Sequence, residues 1–279
     1  MNQINRLKSY GIIALFLGLL AMSPAGQSYE IAETDFWTSY FDVEISTGIA
    51  IFPDLPAPTS NYFDGTKDLN TENSTHIGVP LSGKLKYQLI KNRYESYLYG
   101  EGKYIAGVEG GKRLPGASFL KVGLGIGAAK TWMLDQLDIR VAVEAGYERS
   151  SFLSISRSHY FNALQTRMIL DVFMGDWNLN LSGSIAPWAQ VNYYQNASNN
   201  GYIKGSDANI WQVGGKLGYE ISQDTFAFLG TQIERFQFVI EDSAAYEGFG
   251  LNILDFRESN ELNRDLWVYS FLIGIQKSI

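Results

Sequence analysis

The chain has no cysteine and only two histidines among its 279 residues. Without thiols, neither disulfides nor thiolate metal sites can hold it together in an oxidising compartment. Two imidazoles confine any histidine-based chemistry to His76 and His159. Long apolar runs are missing as well. Beyond Leu20 no stretch approaches the roughly 20 apolar residues that a spanning helix needs, which excludes a helical membrane protein. Positive charge is in deficit, with 22 Lys and Arg against 29 Asp and Glu. A net charge of −7 argues against nucleic acid as a partner.

What is present begins with an export pattern. Arg6 and Lys8 precede an apolar segment from Gly11 to Leu20, and Ser23-Pro24-Ala25 offers small residues for cleavage. Residues 1–25 are therefore expected to be a signal peptide, and residues 26–279 a single mature domain. Loss of Arg6 and Lys8 takes the formal charge from −7 to about −9.

The mature region is organised by alternation. From Leu137 to Glu148, Leu137, Ile139, Val141, Val143, Ala145 and Tyr147 fall on one side of an extended strand, and Asp138, Arg140, Glu144 and Glu148 fall on the other. Similar alternation predicts strands over Trp37 to Ile51, Thr75 to Leu89, Ser96 to Val108, Ser118 to Lys130, Phe161 to Met174, Trp177 to Val191, Ile210 to Ile221 and Thr225 to Phe238, with a last strand around Trp267 to Gln276. In the Trp177 strand, Leu179, Leu181, Ile185 and Val191 take the apolar phase, and Asn178, Asn180, Ser182, Ser184 and Gln190 the polar one. Gly123, Gly125 and Gly127 form an inward column that leaves room for bulky neighbours. Strands this long, charged on one face throughout, do not suit a soluble sheet, where strands run about five or six residues and buried charge is costly.

Connections alternate too. Ile90 to Glu95, Thr131 to Gln136, Gly175-Asp176 and Ser222 to Asp224 are short, whereas the intervening ones are long. The expected fold is all-β: a ten-stranded antiparallel transmembrane β-barrel with short periplasmic turns and long extracellular loops. It belongs in the outer membrane of a diderm bacterium, with both termini periplasmic. Trp37, Tyr87, Trp132, Trp177, Trp211, Tyr219 and Trp267 are placed for interfacial girdles.

The lumen phase carries Asp42, Glu44, Glu101, Asp138, Glu144, Glu148, Asp171, Glu220 and Glu234 against Lys84, Lys86, Lys103, Lys121, Arg140, Arg167 and Lys216. Such near balance predicts a narrow, charge-paired interior. His76, Glu148 and His159 are the rim candidates for chemistry: His76 could meet Asp64 or Asp68, and His159 could meet Glu148, since general-base catalysis needs a carboxylate oriented on an imidazole. No cofactor or metal is expected. Expected partners are outer-membrane lipid and lipopolysaccharide, the latter through Lys112, Arg113, Arg149 and Arg157. The chain is expected to act as a monomer.

Ala145-Gly146-Tyr147-Glu148-Arg149-Ser150 and Leu217-Gly218-Tyr219, together with the ten-strand topology, resemble the omptins, proteases acting at the extracellular rim of a barrel. That family uses an Asp-x-Asp pair and an Asp-x-His pair. Here the loop after Val108 offers Glu109 without an aspartate pair, and Tyr193 to Asp207 contains no histidine. Lipid A deacylases and outer-membrane phospholipase use a His-x-Ser element, which neither His76-Ile77-Gly78 nor His159-Tyr160-Phe161 supplies. The ending, Phe271, Ile273 and Ile275, resembles the strand read by the outer-membrane assembly machinery, although Lys277 and Ile279 depart from it. The expectation is a non-enzymatic barrel with a structural or surface-binding role through its loops. A small passive channel is the alternative, and an omptin-like or lipid-hydrolysing rim enzyme the third reading.

Overall fold

A computed structural model of the chain describes residues 40–56, 73–91, 94–108, 118–134, 137–153, 157–195, 201–203, 207–240 and 262–279. The expected signal peptide, Trp37, Asp64, Asp68, Glu109, Lys112 and Arg113 lie outside the described residues. Ten long strands are present: β1 (Tyr40–Pro56), β2 (Asn73–Lys91), β3 (Tyr94–Val108), β4 (Ser118–Leu134), β5 (Leu137–Leu153), β6 (Arg157–Met174), β7 (Trp177–Gln195), β9 (Ala208–Ser222), β10 (Thr225–Ile240) and β11 (Leu262–Ser278). A short β8 (Gly201–Ile203) pairs only with the end of β7. Each long strand pairs antiparallel with its sequence neighbours, and β1 pairs with β11 from Asp42↔Ser278 to Ile51↔Tyr269, so the sheet closes on itself. Closure satisfies the two edges that an open sheet would leave bare.

The strands are longer than alternation alone suggests. β4 and β5 pair as far as Leu134↔Leu137, so most of the expected Thr131–Gln136 turn is strand. Likewise the β2–β3 ladder runs to Lys91↔Glu95, inside the expected Ile90–Glu95 turn. Turns on this side are tight, and Gly175 at φ 56° occupies a conformation that costs a glycine little. We call this end the turn side and the other the loop side.

Apolar side chains of the middle strand segments face outward. Leu124 is 67% exposed and Ile273 57%, with Ile45, Leu81, Met168 and Leu229 on the same outer surface. Aromatic residues bound this belt on both sides. Phe41, Tyr87, Tyr94, Trp132, Trp177 and Tyr219 ring the turn side; Tyr104, Tyr147, Trp211, Trp267 and Tyr269 ring the loop side. From Tyr219 to Trp211, at about 3.3 Å per residue and a tilt near 40°, the belt is roughly 20 Å tall, close to the apolar band of transmembrane barrels.

Past the loop-side girdle the polarity inverts. Arg149, Asn162, Gln190 and Asp207 form one continuous outward row across β5, β6, β7 and the start of β9. Inward on the same segments lie Phe119, Phe152, Phe161, Ile210, Phe236, Phe238 and Val268, all buried. Above the belt, from β5 round to β9, the barrel therefore has an apolar interior under a polar exterior, whereas on β2 the outward Ile77 and Val79 stay apolar and exposed.

β7 shows the inversion most clearly. The β6–β7 register shifts between Leu164 and Thr166, opposite the segment from Ile185 to Trp188 that contains Pro187. A proline has no amide to give the ladder and sits best at such an irregularity. Beyond it Ala189 and Val191 turn inward and are buried. This corrects the expectation of Val191 outward and Gln190 inward.

Candidate functional site

The interior of the barrel is stacked in two storeys, and their boundary can be followed strand by strand. Two positions toward the loop side, Lys103 gives way to Ile105, Lys121 to Phe119, Gln212 to Ile210, Glu234 to Phe236 and Ser270 to Val268. Each pair shares the inward face because side chains alternate with a period of two.

The lower storey is braced by charge-assisted bonds across the lumen. Nearest the turn side, Lys216 of β9 donates to Glu44 of β1 at 2.5 Å. Asp42 accepts from Ser278 Oγ at 2.6 Å and Gln88 Nε2 at 3.3 Å. Arg140 holds Glu95 through Nε and Nη2 at 3.0 and 2.8 Å and Asp171 through Nη1 at 2.8 Å, while Asn180 also donates to Asp171. One level up, the fully buried Glu144 accepts from Lys84 at 2.8 Å, Arg167 at 2.9 Å and Tyr97 Oη at 3.0 Å. Arg167 also forks onto Glu101 at 2.6 and 2.8 Å.

The topmost charged level is centred on Glu234. Its two oxygens take Lys103 at 2.5 Å and Lys121 at 2.9 Å. Lys103 further donates to Gln232 and Ser270, and Lys121 to Gln212, each at 2.9 Å. Lys121 is 2.8 Å from Glu148 Oε2, an ion pair whose angle falls short of a hydrogen bond. β3 and β4 lie across the barrel from β9, β10 and β11, so these bonds span the lumen. Placing so many charges away from bulk water is tolerated because those other than Asp42 and Lys86 find partners of opposite sign.

Tyr97 and Tyr99 fill the space left by the inward glycines. A methyl group at Gly127 would overlap the Tyr97 ring, and one at Gly125 would lie 2.6 Å from the Tyr99 ring. These rings narrow the lumen beside Glu144. Beneath the upper brace a polar chamber of about 300 Å³ remains, reaching from Asp42, Gln88 and Ser278 at the turn-side rim to Lys103 and Lys121.

The upper storey is a ring cluster. Phe152 meets Phe119 at 4.7 Å between centroids, Phe236 at 5.1 Å and Phe161 at 5.9 Å, and Phe161 meets Phe238 at 5.3 Å. Tilted and edge-on arrangements at these distances are those that aromatic pairs favour. The charge-paired network occupies the turn-side half of the interior, and the loop-side half is hydrocarbon.

Several sequence-derived candidates stand elsewhere than expected. Asp138 and Glu220 sit at the turn side outside the ion pairs, and Glu220 instead accepts from the Asp224 amide at 3.1 Å. His159 and Glu148 are not brought together. His159 lies opposite Phe152 and Glu148 opposite Ala163, a four-residue offset worth about 13 Å along the strand. His159 is buried against Phe238 at 5.4 Å, and Glu148 belongs to the Lys121 pair rather than the rim. The His76 backbone pairs with Phe52, and its side chain lies outside the described residues. Among the described residues no three His, Cys, Asp or Glu side chains converge as a metal-ligand set. Glu95 and the phenylalanines were absent from the sequence-derived set. Counting the period-two phase onward from Glu234 to Phe236 and Phe238 would have found the latter.

No protein-family model matches the chain, and no curated protein does. Solved structures align with most of the chain at low identity. The outer membrane protease OmpT from Escherichia coli aligns over 86% of this chain and 97% of its own, at 8% identity and a TM-score of 0.49. Outer membrane phospholipase A from Escherichia coli covers 85% and 89%, at 15% identity and 0.33. The attachment invasion locus protein Ail of Yersinia pestis, solved with the heparin analogue sucrose octasulfate, covers 86% and 99%, at 10% identity and 0.26. The neighbours are outer-membrane barrels of differing activities, and the likeness is one of fold.

Proposed function

We propose that this protein is a non-enzymatic, closed-lumen barrel of a bacterial outer membrane, with periplasmic turns and termini and a structural or surface-binding role carried by its loops. The observation that supports this reading is the phenylalanine storey set on the cross-lumen braces. Phe119, Phe152, Phe161, Phe236 and Phe238 fill the loop-side interior, and the Glu234 level crosses the lumen beneath them. Ions would have to displace packed rings or break buried ion pairs, and either step costs several kcal/mol. The wall above the belt then serves as a rigid pedestal that lifts the loops clear of lipid, and loops on such scaffolds commonly carry recognition. Lipopolysaccharide contact through Arg149 and its neighbours, monomeric action, and delivery by the assembly machinery through β11 belong to the same proposal.

The alternative is a narrow solute channel, for which the polar chamber is the supporting feature. Planar-bilayer recording of the purified full-length protein separates the two. Closed-lumen barrels give no stepwise conductance above the lipid baseline; reproducible steps in the unmodified protein would overturn the reading.

A further inference from the structure

The chamber on the turn side is left without a task by a closed lumen. Its volume of about 300 Å³ matches the smaller end of sites for small molecules. The braces and rings above make it blind, so a ligand would enter from the turn side.

Seven cationic side chains line the chamber with five carboxylates, and Glu144, Glu148 and Glu234 answer four of those cations from behind the surface. Among the described residues, Lys86 is the chamber-lining cation without an ion pair; the other six each have a carboxylate within 4.0 Å. Asp42 is directly opposite Lys86 in the β1–β2 ladder, but its carboxylate is engaged by Gln88 and Ser278. The Lys86 ammonium instead lies 5.2 Å from the centroid of the Tyr97 ring, and the Arg140 guanidinium lies 5.7 Å from the same ring. Arg140 already holds Glu95 and Asp171, which leaves Lys86 as the cation answered by a ring face alone, and an anion reaching it would gain a charge-assisted bond.

We propose that the chamber binds a small anion bearing carboxylate or phosphate groups, with Lys86 as its first contact and Arg140 as its second. The test is calorimetric titration of the full-length protein in zwitterionic detergent at low salt, with succinate and with inorganic phosphate. Saturable one-to-one binding of at least one probe is expected, weakening as salt is added. Lys86→Gln should raise Kd about ten-fold, whereas Lys86→Arg and Lys130→Gln, the latter on the outer wall, should leave it near the unmodified value.

NMR of the unmodified protein with methyl-labelled lysines gives a readout that does not depend on Lys86→Gln folding. The resonance missing from Lys86→Arg should shift on titration. No saturable binding of either probe, equal binding by Lys86→Gln, or an unmoved Lys86 resonance would each overturn the proposal. The blind shape rests on the closed-lumen reading, yet the two fail separately: conductance steps would sink that reading and leave anion binding standing.

Discussion

At the scale of single residues, Glu234 is where the lower storey is most exposed to damage. Its carboxylate is 1% exposed and answers two ammonium groups that reach it from the far wall. Truncation would leave Lys103 and Lys121 beneath a hydrocarbon layer with half their compensation gone, and removing one partner of a buried pair costs about 3–5 kcal/mol. Glu234→Ala should lose that much in urea unfolding from lipid vesicles, whereas Glu220→Ala, at the solvated turn side, should change stability by no more than about 0.5 kcal/mol. Equal losses would mean that the brace contributes nothing beyond generic strand content. Which charges point inward was legible in the sequence, because period two puts them on one face. Which charge meets which was not, since Lys103 and Glu234 come from strands on opposite sides of the lumen. Such partnerships follow from barrel width and stagger rather than spacing along the chain.

At the scale of a strand, β4 presents two environments within one outward row. Leu124 sits mid-belt at 67% exposure, and Leu134 at 55% lies beyond Trp132 at the turn side. Accessibility scarcely distinguishes them, but a membrane would. Leu124→Arg should cost about 2–4 kcal/mol of folding stability in vesicles, and Leu134→Arg about 0–1 kcal/mol, because the penalty for a cation falls from midplane to interface. Similar costs at both positions would place the belt elsewhere. β7 shows where strand-level reading fails. The rule that apolar residues face outward holds from Leu179 to Ile185, then breaks at Val191, because Pro187 marks a register irregularity beyond which Ala189 and Val191 turn inward. Neither the bulge nor the inversion is written in the alternation itself.

At the scale of the whole molecule, strand number and loop asymmetry were legible because a closed antiparallel wall imposes an even count and alternate hairpins. The second interior was not. Phenylalanines at 119, 152, 161, 236 and 238 are scattered through four strands, and only the closed ladder reveals that they share one level. Their presence makes the molecule a composite: a charged interior through the belt and a hydrocarbon one beyond it, with a polar outer wall from β5 round to β9.

The row Arg149, Asn162, Gln190 and Asp207 has one more implication, concerning bilayer thickness. Ionised and amide groups directly above the aromatic girdle act as a stop, so the wall cannot slide deeper to cover a longer acyl region, and a stiff closed cylinder offers little tilt as compensation. A preference for a thin hydrophobic slab is the expected outcome. Spontaneous insertion into phosphatidylcholine vesicles should fall steeply as the acyl chains lengthen, and Arg149→Leu with Asn162→Leu should shift the preferred thickness upward; a yield indifferent to chain length would show that the collar imposes no such match.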